Sequence, residues 1–464
     1  MIGSTVSTEH STETDRYPLR APTDAPTLEA DVTSAPAGSL RRVRTFDSFR
    51  HRDYTISFFG ALVSNVGSWM QMTALGWLVF QLTGKATSLG IVNFLSGVPV
   101  FFLTIFTGVL ADRMDRRKLL IVTQVLLMAQ AFTFGWMSMR GDITMTWIYG
   151  LTLVGGVVQA FMSPAWQAMT PDLVPRESLM NAIALSSAQF NAARLIGPLA
   201  VLPIVAIFGG SQSEGVAEVF FVNAASFAFV IWALAVIRPS QHIPRGDDAE
   251  SPFQALRAGL SYAVHRRRVR MHLLTAAFIT IFGMPFATLL PALAADTLGL
   301  SSKGYSALMA ANGLGALVGA LWVASLPPTV RREAIVRVGI VVLPLGAISL
   351  AALRVPVLSG GVLVVLGIAF LACVSSINTN LQTAVPPQLR ARVMSLFVLA
   401  FMGMMPFGAL LSGWLGDVIG VPGAIAASAS VLLAYAIVLN LRPRLLCDAD
   451  DAECGDRLGG TRGA

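Results

Sequence analysis

Between residues 108 and 118 the chain reads Gly108-Val109-Leu110-Ala111-Asp112-Arg113-Met114-Asp115-Arg116-Arg117-Lys118, a cluster of acids and cations following a long apolar stretch. A carboxylate at the end of one helix can cap the positive N-terminus of another, and clustered guanidinium groups can pair with acids on adjacent loops. Gly108, Asp112, Arg113, Arg116 and Arg117 are therefore candidates for a contact between neighbouring elements. The plainer alternative is a solvated basic turn.

Arg194 offers different chemistry. It lies far inside an apolar stretch, roughly 18 Å deep if that stretch is helical at about 1.5 Å per residue. A charge at that depth must face an interior and find acceptors. It either binds an anionic or carbonyl-rich ligand or holds backbone carbonyls freed near Gly197 and Pro198. Around it, polar but uncharged residues recur at helical spacing. Ser64, Ser68 and Gln71 share one face, with Asn65 beside them; Gln159, Ser163 and Trp166 share another, and Ser375, Asn378 and Gln382 a third. Trp69, Met72 and Met284 add soft apolar surface. Each could equally be an interhelical hydrogen bond or a packing residue. Taken together, Asn65, Ser68, Gln71, Gln159, Arg194, Met284 and Asn378 describe a cavity for a fairly apolar small molecule carrying hydrogen-bonding groups.

A carrier driven by protons would need a titratable carboxylate. Glu218, Asp296 and Asp417 all fall at one set of span ends, where they read as ordinary interfacial residues, and Asp53 and Asp112 fall at the other. Asp296 is the candidate for proton coupling, since Pro285 and Pro291 could bend its helix and bring the carboxylate inward. Enzyme and pump chemistry find no footing. His10, His51, His242, His265 and His272 sit in tails, loops or span edges without metal-ligand spacing. Gly84-Lys85 has Val79 where a phosphate loop needs its first Gly. No cofactor is expected. Cys447 and Cys454 flank an acidic tail segment and read as two reduced thiols.

The elements that position these residues follow from composition. Of 464 residues, 54% are hydrophobic and 13% charged, about half the charge of an average soluble domain, which is roughly 25%. Apolar runs long enough for a ~30 Å hydrocarbon core recur along the chain. They predict an all-α membrane protein with twelve transmembrane helices at about 54–81, 87–111, 117–139, 143–165, 182–208, 217–237, 271–294, 304–326, 333–353, 357–380, 393–416 and 421–441. Arginines gather before the first span, after the second, in the loop at 238–270 and at the remaining loops of that side, while the opposite loops hold Lys85, Arg140, Lys303 and Arg354. The positive-inside rule then places both termini in the cytoplasm and the protein in the inner membrane. The net charge of +7 is a topology signal in a lipid bilayer, and no nucleic-acid partner is expected.

The expected organisation is a disordered tail at 1–45, a six-helix half at 46–237, an inter-half loop at 238–270, a second six-helix half at 271–441 and a tail at 442–464. One offset of 211 residues carries Gly108 onto Gly319, Val174-Pro175 onto Val385-Pro386, Leu185 onto Leu396 and Gly197 onto Gly408. A shared offset argues for two pseudo-repeat halves. Gly197-Pro198 and Pro406 to Gly408 then become paired helix breaks, a pointer to a substrate path.

The motif from Gly108 to Lys118 resembles the loop between the second and third helices of the major facilitator superfamily, with Asp115 where that family usually has Gly. The resemblance covers about residues 45–441 and implies the major facilitator fold, with alternating access of a central site. It implies that Asp112 meets the start of the eleventh span near Arg392 to Ser395, and that Arg116 pairs with Asp172 or Glu177. Asp172-Leu173-Val174-Pro175-Arg176, Asn181-Ala182 and Asn191-Ala192-Ala193-Arg194-Leu195-Ile196-Gly197-Pro198 resemble the branch of enterobactin-type exporters and macrolide efflux pumps, the transmembrane secretion effector type. Gly197-Pro198 also resembles the fifth-helix antiporter motif, though Ala193 and Leu202 stand where that motif usually has glycines. The resemblance implies export of a small organic molecule such as a siderophore or antibiotic, by a monomer, with protons as the coupling ion if transport is ion-driven. Import of a metabolite, or a sensor or scaffold role without transport, are the alternatives.

Overall fold

The computed structural model describes residues 46–208, 215–237, 252–327 and 329–442; the side chains at 104–106, 108–113, 252–256 and 258 lie outside that description. From Phe46 onward the chain packs as one unit. Its first half holds α1 (Arg52–Thr83), α2 (Ala86–Arg113), α3 (Arg116–Arg140), α4 (Met145–Met169), α5 (Arg176–Phe208) and α6 (Val216–Val236). After a short helix α7 (Pro252–His265) come α8 (Arg267–Phe278), α9 (Pro285–Ala292), α10 (Ser302–Ser325), α11 (Arg332–Ala352), α12 (Pro356–Ala384), α13 (Pro387–Val398), α14 (Met405–Ile419) and α15 (Val421–Leu441).

Among the described residues eleven spans are long and apolar enough to cross a membrane, with Arg267–Thr297 and Pro387–Ile419 each counting as one. The twelfth is α1, whose 32 residues are long enough but whose Ser64, Asn65, Ser68 and Gln71 dilute its hydropathy. Of these polar residues Ser64, Asn65 and Ser68 line the cavity described below.

Two departures from the sequence reading concern helix breaks. Gly197-Pro198 does not interrupt α5, which is continuous from Arg176 to Phe208. Pro198 still removes a donor for the carbonyl of residue 194. That carbonyl faces Gly313 of α10, where a Cβ would sit 2.5 Å from it. Close approach of a neighbouring backbone takes the place of a break. The carbonyl of Ala160, freed by Pro164, is likewise met by the Thr107 hydroxyl at 2.8 Å. The true breaks lie in the second half. Turns of π-helix at Ile279–Gly283 and Leu399–Gly403 precede α9 and α14, which carry Pro285 and Pro406 in their first turns. A proline ring crowds the carbonyl four residues before it, here Ile281 and Met402, and a wider turn relieves that crowding.

Within the inter-half loop at 238–270, Pro252–His265 is helical. Gly259 of α7 lies against the backbone of Arg392 at the start of α13.

Candidate functional site

A cavity of about 620 Å³ opens within the first half. Its wall is built by α1, α4 and α5, with Gln124 from α3 and Phe227 from α6. Tyr54, Thr170 and Pro171 line it near the arginine-rich ends of the helices, and Asn65, Ser68 and Asn191 further along them. The Tyr54 hydroxyl ties α1 to α5 by donating to the Ala182 carbonyl at 2.9 Å. Among the described residues none of those lining it is Asp, Glu, Lys, Arg or His; aromatic rings of Tyr54, Phe58, Trp166, Phe190 and Phe227 alternate with Ser, Asn and Gln. Such a wall offers neutral hydrogen bonds and ring faces, the usual make-up of a small-molecule site.

Of the cavity residues read from the sequence, Asn65, Ser68 and Gln159 line this space. The others do not. Gln71 accepts a hydrogen bond from Asn223 Nδ2 at 2.8 Å and joins α1 to α6. Met284 is buried between the π-turn and α9. Asn378 accepts from Gln382 within α12 at 2.6 Å. One-turn spacing marks a shared helix face but not which neighbour that face meets, so a polar stripe on α12 was indistinguishable from one on α4.

Arg194 lies beyond the cavity, where the halves meet. Its Nη2 donates to Asn312 Oδ1 of α10 at 2.8 Å, and its guanidinium lies 5.6 Å from the Trp69 ring and 5.8 Å from that of Phe370. It therefore bridges α5 to α10 between two aromatic faces, and it is not the side chain that holds the freed carbonyl near Gly197. Asn312 also donates to the Leu363 carbonyl at 3.3 Å. The sequence reading missed Asn312, although an Asn inside an apolar span is a recognisable signal.

The basic cluster is partly resolved into contacts. Arg116 Nη1 lies 2.9 Å from Asp172 Oδ2, joining α3 to the end of α4. Arg117 donates to the carbonyls of Leu234 and Ala235 at the C-terminus of α6, where helix polarity favours a cation. The side chains of Gly108, Asp112 and Arg113 lie outside the described residues, as do Cys447 and Cys454.

At the far ends the helices are shut. Trp77 of α1 stacks on Tyr305 of α10 with centroids 5.8 Å apart, and the two are 5% and 3% exposed. Asp417, at the end of α14, accepts from the backbone N–H of Ala86 at 2.7 Å and of Thr87 at 3.1 Å. It is not the ordinary interfacial acid the sequence reading made of it. Asp296 is exposed on the π-turn Leu293–Thr297, so Pro285 and Pro291 do not bring its carboxylate inward. His272, assigned above to a span edge, is 1% exposed, with Asn380 Nδ2 at 3.1 Å from its Nε2.

Residues 43–459 match the family described as transmembrane secretion effector, and the chain belongs to that family, a branch of the major facilitator transporters. It is a multi-pass membrane transporter and not an enzyme. It is 26% identical over 373 residues to the Staphyloferrin A transporter of Staphylococcus aureus, covering 78% of this chain and 89% of that one. To the multidrug efflux pump Tap of Mycolicibacterium fortuitum it is 23% identical, over 83% of this chain and 95% of the relative. Among solved structures, a bacterial homologue of the lysosomal transporter Spinster, in an inward-facing and unoccupied conformation, superposes with a TM-score of 0.67 at 15% identity over 88% of this chain and 98% of that one. At that identity the likeness concerns the fold.

Proposed function

We propose that this chain is a secondary exporter of an uncharged, amphiphilic organic molecule, which it takes up at the arginine-rich face and releases at the far face. By the positive-inside rule the arginine-rich face is cytoplasmic and the membrane is the bacterial inner membrane. The observation that carries the reading is a cavity in the arginine-rich half of the span whose described lining residues are all uncharged, below a far end closed by Trp77, Tyr305 and Asp417. A multiply anionic substrate would bring several charges into that neutral wall, each costing several kcal/mol unless paired. The multidrug pump is the better guide to substrate than the siderophore transporter. Protons as coupling ion and a monomeric carrier belong to the same proposal; Asp296 and Asp417 are both exposed, and Glu218, half-buried at the start of α6, is the next carboxylate to test as the proton carrier.

The test is binding to purified protein in detergent, followed by quenching of intrinsic tryptophan fluorescence. A neutral macrolide should bind, and Gln159→Ala with Asn65→Ala should weaken it by about tenfold, one or two hydrogen bonds' worth. Tight binding of a tricarboxylate, with none of the macrolide, would sink the proposal.

A further inference from the structure

The far end of the molecule is held by a contact between halves. The second span, α2, begins at Ala86 immediately after the turn at Gly84 and Lys85. Its first N–H groups have no intrahelical acceptor and need one from elsewhere. Asp417 supplies both oxygens: Oδ1 takes the N–H of Ala86 at 2.7 Å and Oδ2 that of Thr87 at 3.1 Å. The cap is separated from the helix it caps by more than 300 positions, |i−j| being 331 and 330. It is also charged, and a carboxylate at a helix N-terminus gains from the helix dipole as well as from the hydrogen bonds.

A second observation shows that this contact closes a seam. A Cβ on Gly90 would lie 2.7 Å from the Ala409 carbonyl, and one on Gly413 would lie 2.8 Å from the Ala86 carbonyl. The backbones of α2 and α14 therefore touch over two turns next to the cap. The Thr87 hydroxyl adds a contact to the Gly413 carbonyl at 3.4 Å. Nearby, a Cβ on Gly76 would meet the Tyr305 hydroxyl at 3.1 Å and Pro291 at 3.2 Å, so α1 is pressed against α9 and α10 in the same plane as the Trp77 stack.

We infer that Asp417 is a positioning residue of the transport cycle, an outer latch whose carboxylate caps α2 across the halves and biases the carrier towards the state with its far end shut. The inference rests on the alternating-access reading. When the far end opens, α2 and α14 separate; the Ala86 and Thr87 N–H groups and the carboxylate then exchange each other for water. The latch lies on the second and eleventh spans, the pair for which the sequence expects Asp112 to act at the opposite end. Positions 112 and 417 thus fall at opposite ends of one helix pair. This position for Asp417 could not be read from the 211-residue offset, which sets it against Ala206.

The test uses the full chain in lipid nanodiscs with Cys447 and Cys454 replaced by Ser and spin labels on introduced cysteines. One pair, Met139→Cys and Lys303→Cys, spans the far end; another, Met180→Cys and Arg390→Cys, spans the arginine-rich end. Removing an N-cap acceptor shifts a helix equilibrium by about fivefold. Asp417→Ala should therefore raise the long-distance population of the far-end pair by about that factor and shorten the other pair reciprocally. Asp417→Asn, which keeps one acceptor but loses the charge, should raise it by about twofold. A general loosening would broaden both pairs without the reciprocal shortening, and would overturn the latch. So would unchanged distances in Asp417→Ala; should that variant fail to run as a single species, unchanged distances in Asp417→Asn decide in the same way. Because no substrate is present, the result is independent of whether the export reading of the cavity holds.

Discussion

The two halves differ in how they use proline. In the first half, α2, α4 and α5 run unbroken through Pro99, Pro164, Pro198 and Pro203, and this half encloses the cavity. In the second, two spans are built from shorter helices joined by π-turns, and its residues do not line that cavity. On the proposed reading of the cavity the unbroken half supplies a packed wall that keeps lining residues in register, while a π-turn leaves carbonyls with looser bonds and a place to flex. The halves are joined by Asp417 with the α2 N-terminus at the far end and by Arg194 with Asn312 in the middle, while α7 of the inter-half loop packs against α13 at the arginine-rich end.

The largest effect expected from this asymmetry comes from filling the cavity. Ser68→Trp should lower efflux at matched expression by about thirtyfold, the equivalent of roughly 2 kcal/mol of overpacking. Asn378→Trp, the corresponding insult to the second half, should leave at least about half of it. Equal losses from both would mean that the second half shares the binding wall, as the sequence reading first supposed.

A smaller effect is expected at the bridge. Arg194→Leu removes a hydrogen bond to a charged group, worth about 1.5–3 kcal/mol, and should cut efflux about tenfold. Asn312→Leu leaves the cation without its acceptor in an apolar setting and should be the worse single change for thermal stability. The double variant should recover part of that loss, with a coupling of about 1 kcal/mol in a double-mutant cycle. Strict additivity would show that the two side chains do not act on each other.

The smallest effect is expected at Asp296. Since its carboxylate is exposed, Asp296→Asn should change pH-gradient-driven uptake into inside-out vesicles by less than about twofold, within the usual span for surface substitutions. Loss of gradient-driven uptake with counterflow intact would return proton coupling to Asp296 and require a state in which its bulged turn faces inward.

Much of the architecture was legible without coordinates. Composition determined that the chain lies in a membrane, apolar runs determined where its spans fall, and the arginines marked which ends share a face. These are local or additive properties, because transfer into hydrocarbon is decided residue by residue. The polar faces of α1 and α4 were legible too, since one-turn spacing is a property of a single helix. What a helix face meets is another matter, and there only the tertiary structure decided. Gly97-Val98-Pro99 and Gly283-Met284-Pro285 are nearly the same tripeptide, yet the first lies inside a continuous helix and the second at a π-turn. A Cβ on Gly97 would meet the Pro406 ring at 2.4 Å, whereas one on Gly283 would meet the flexible side chain of Leu432 at 3.0 Å. The partner sets the outcome. Asp417 makes the same point more strongly: as a residue it is one acid at the end of an apolar span, and it becomes a helix cap only because folding brings Ala86 and Thr87 to it from the other half of the chain. Pairing over that separation is paid for by the packing of whole helices, which no local pattern records.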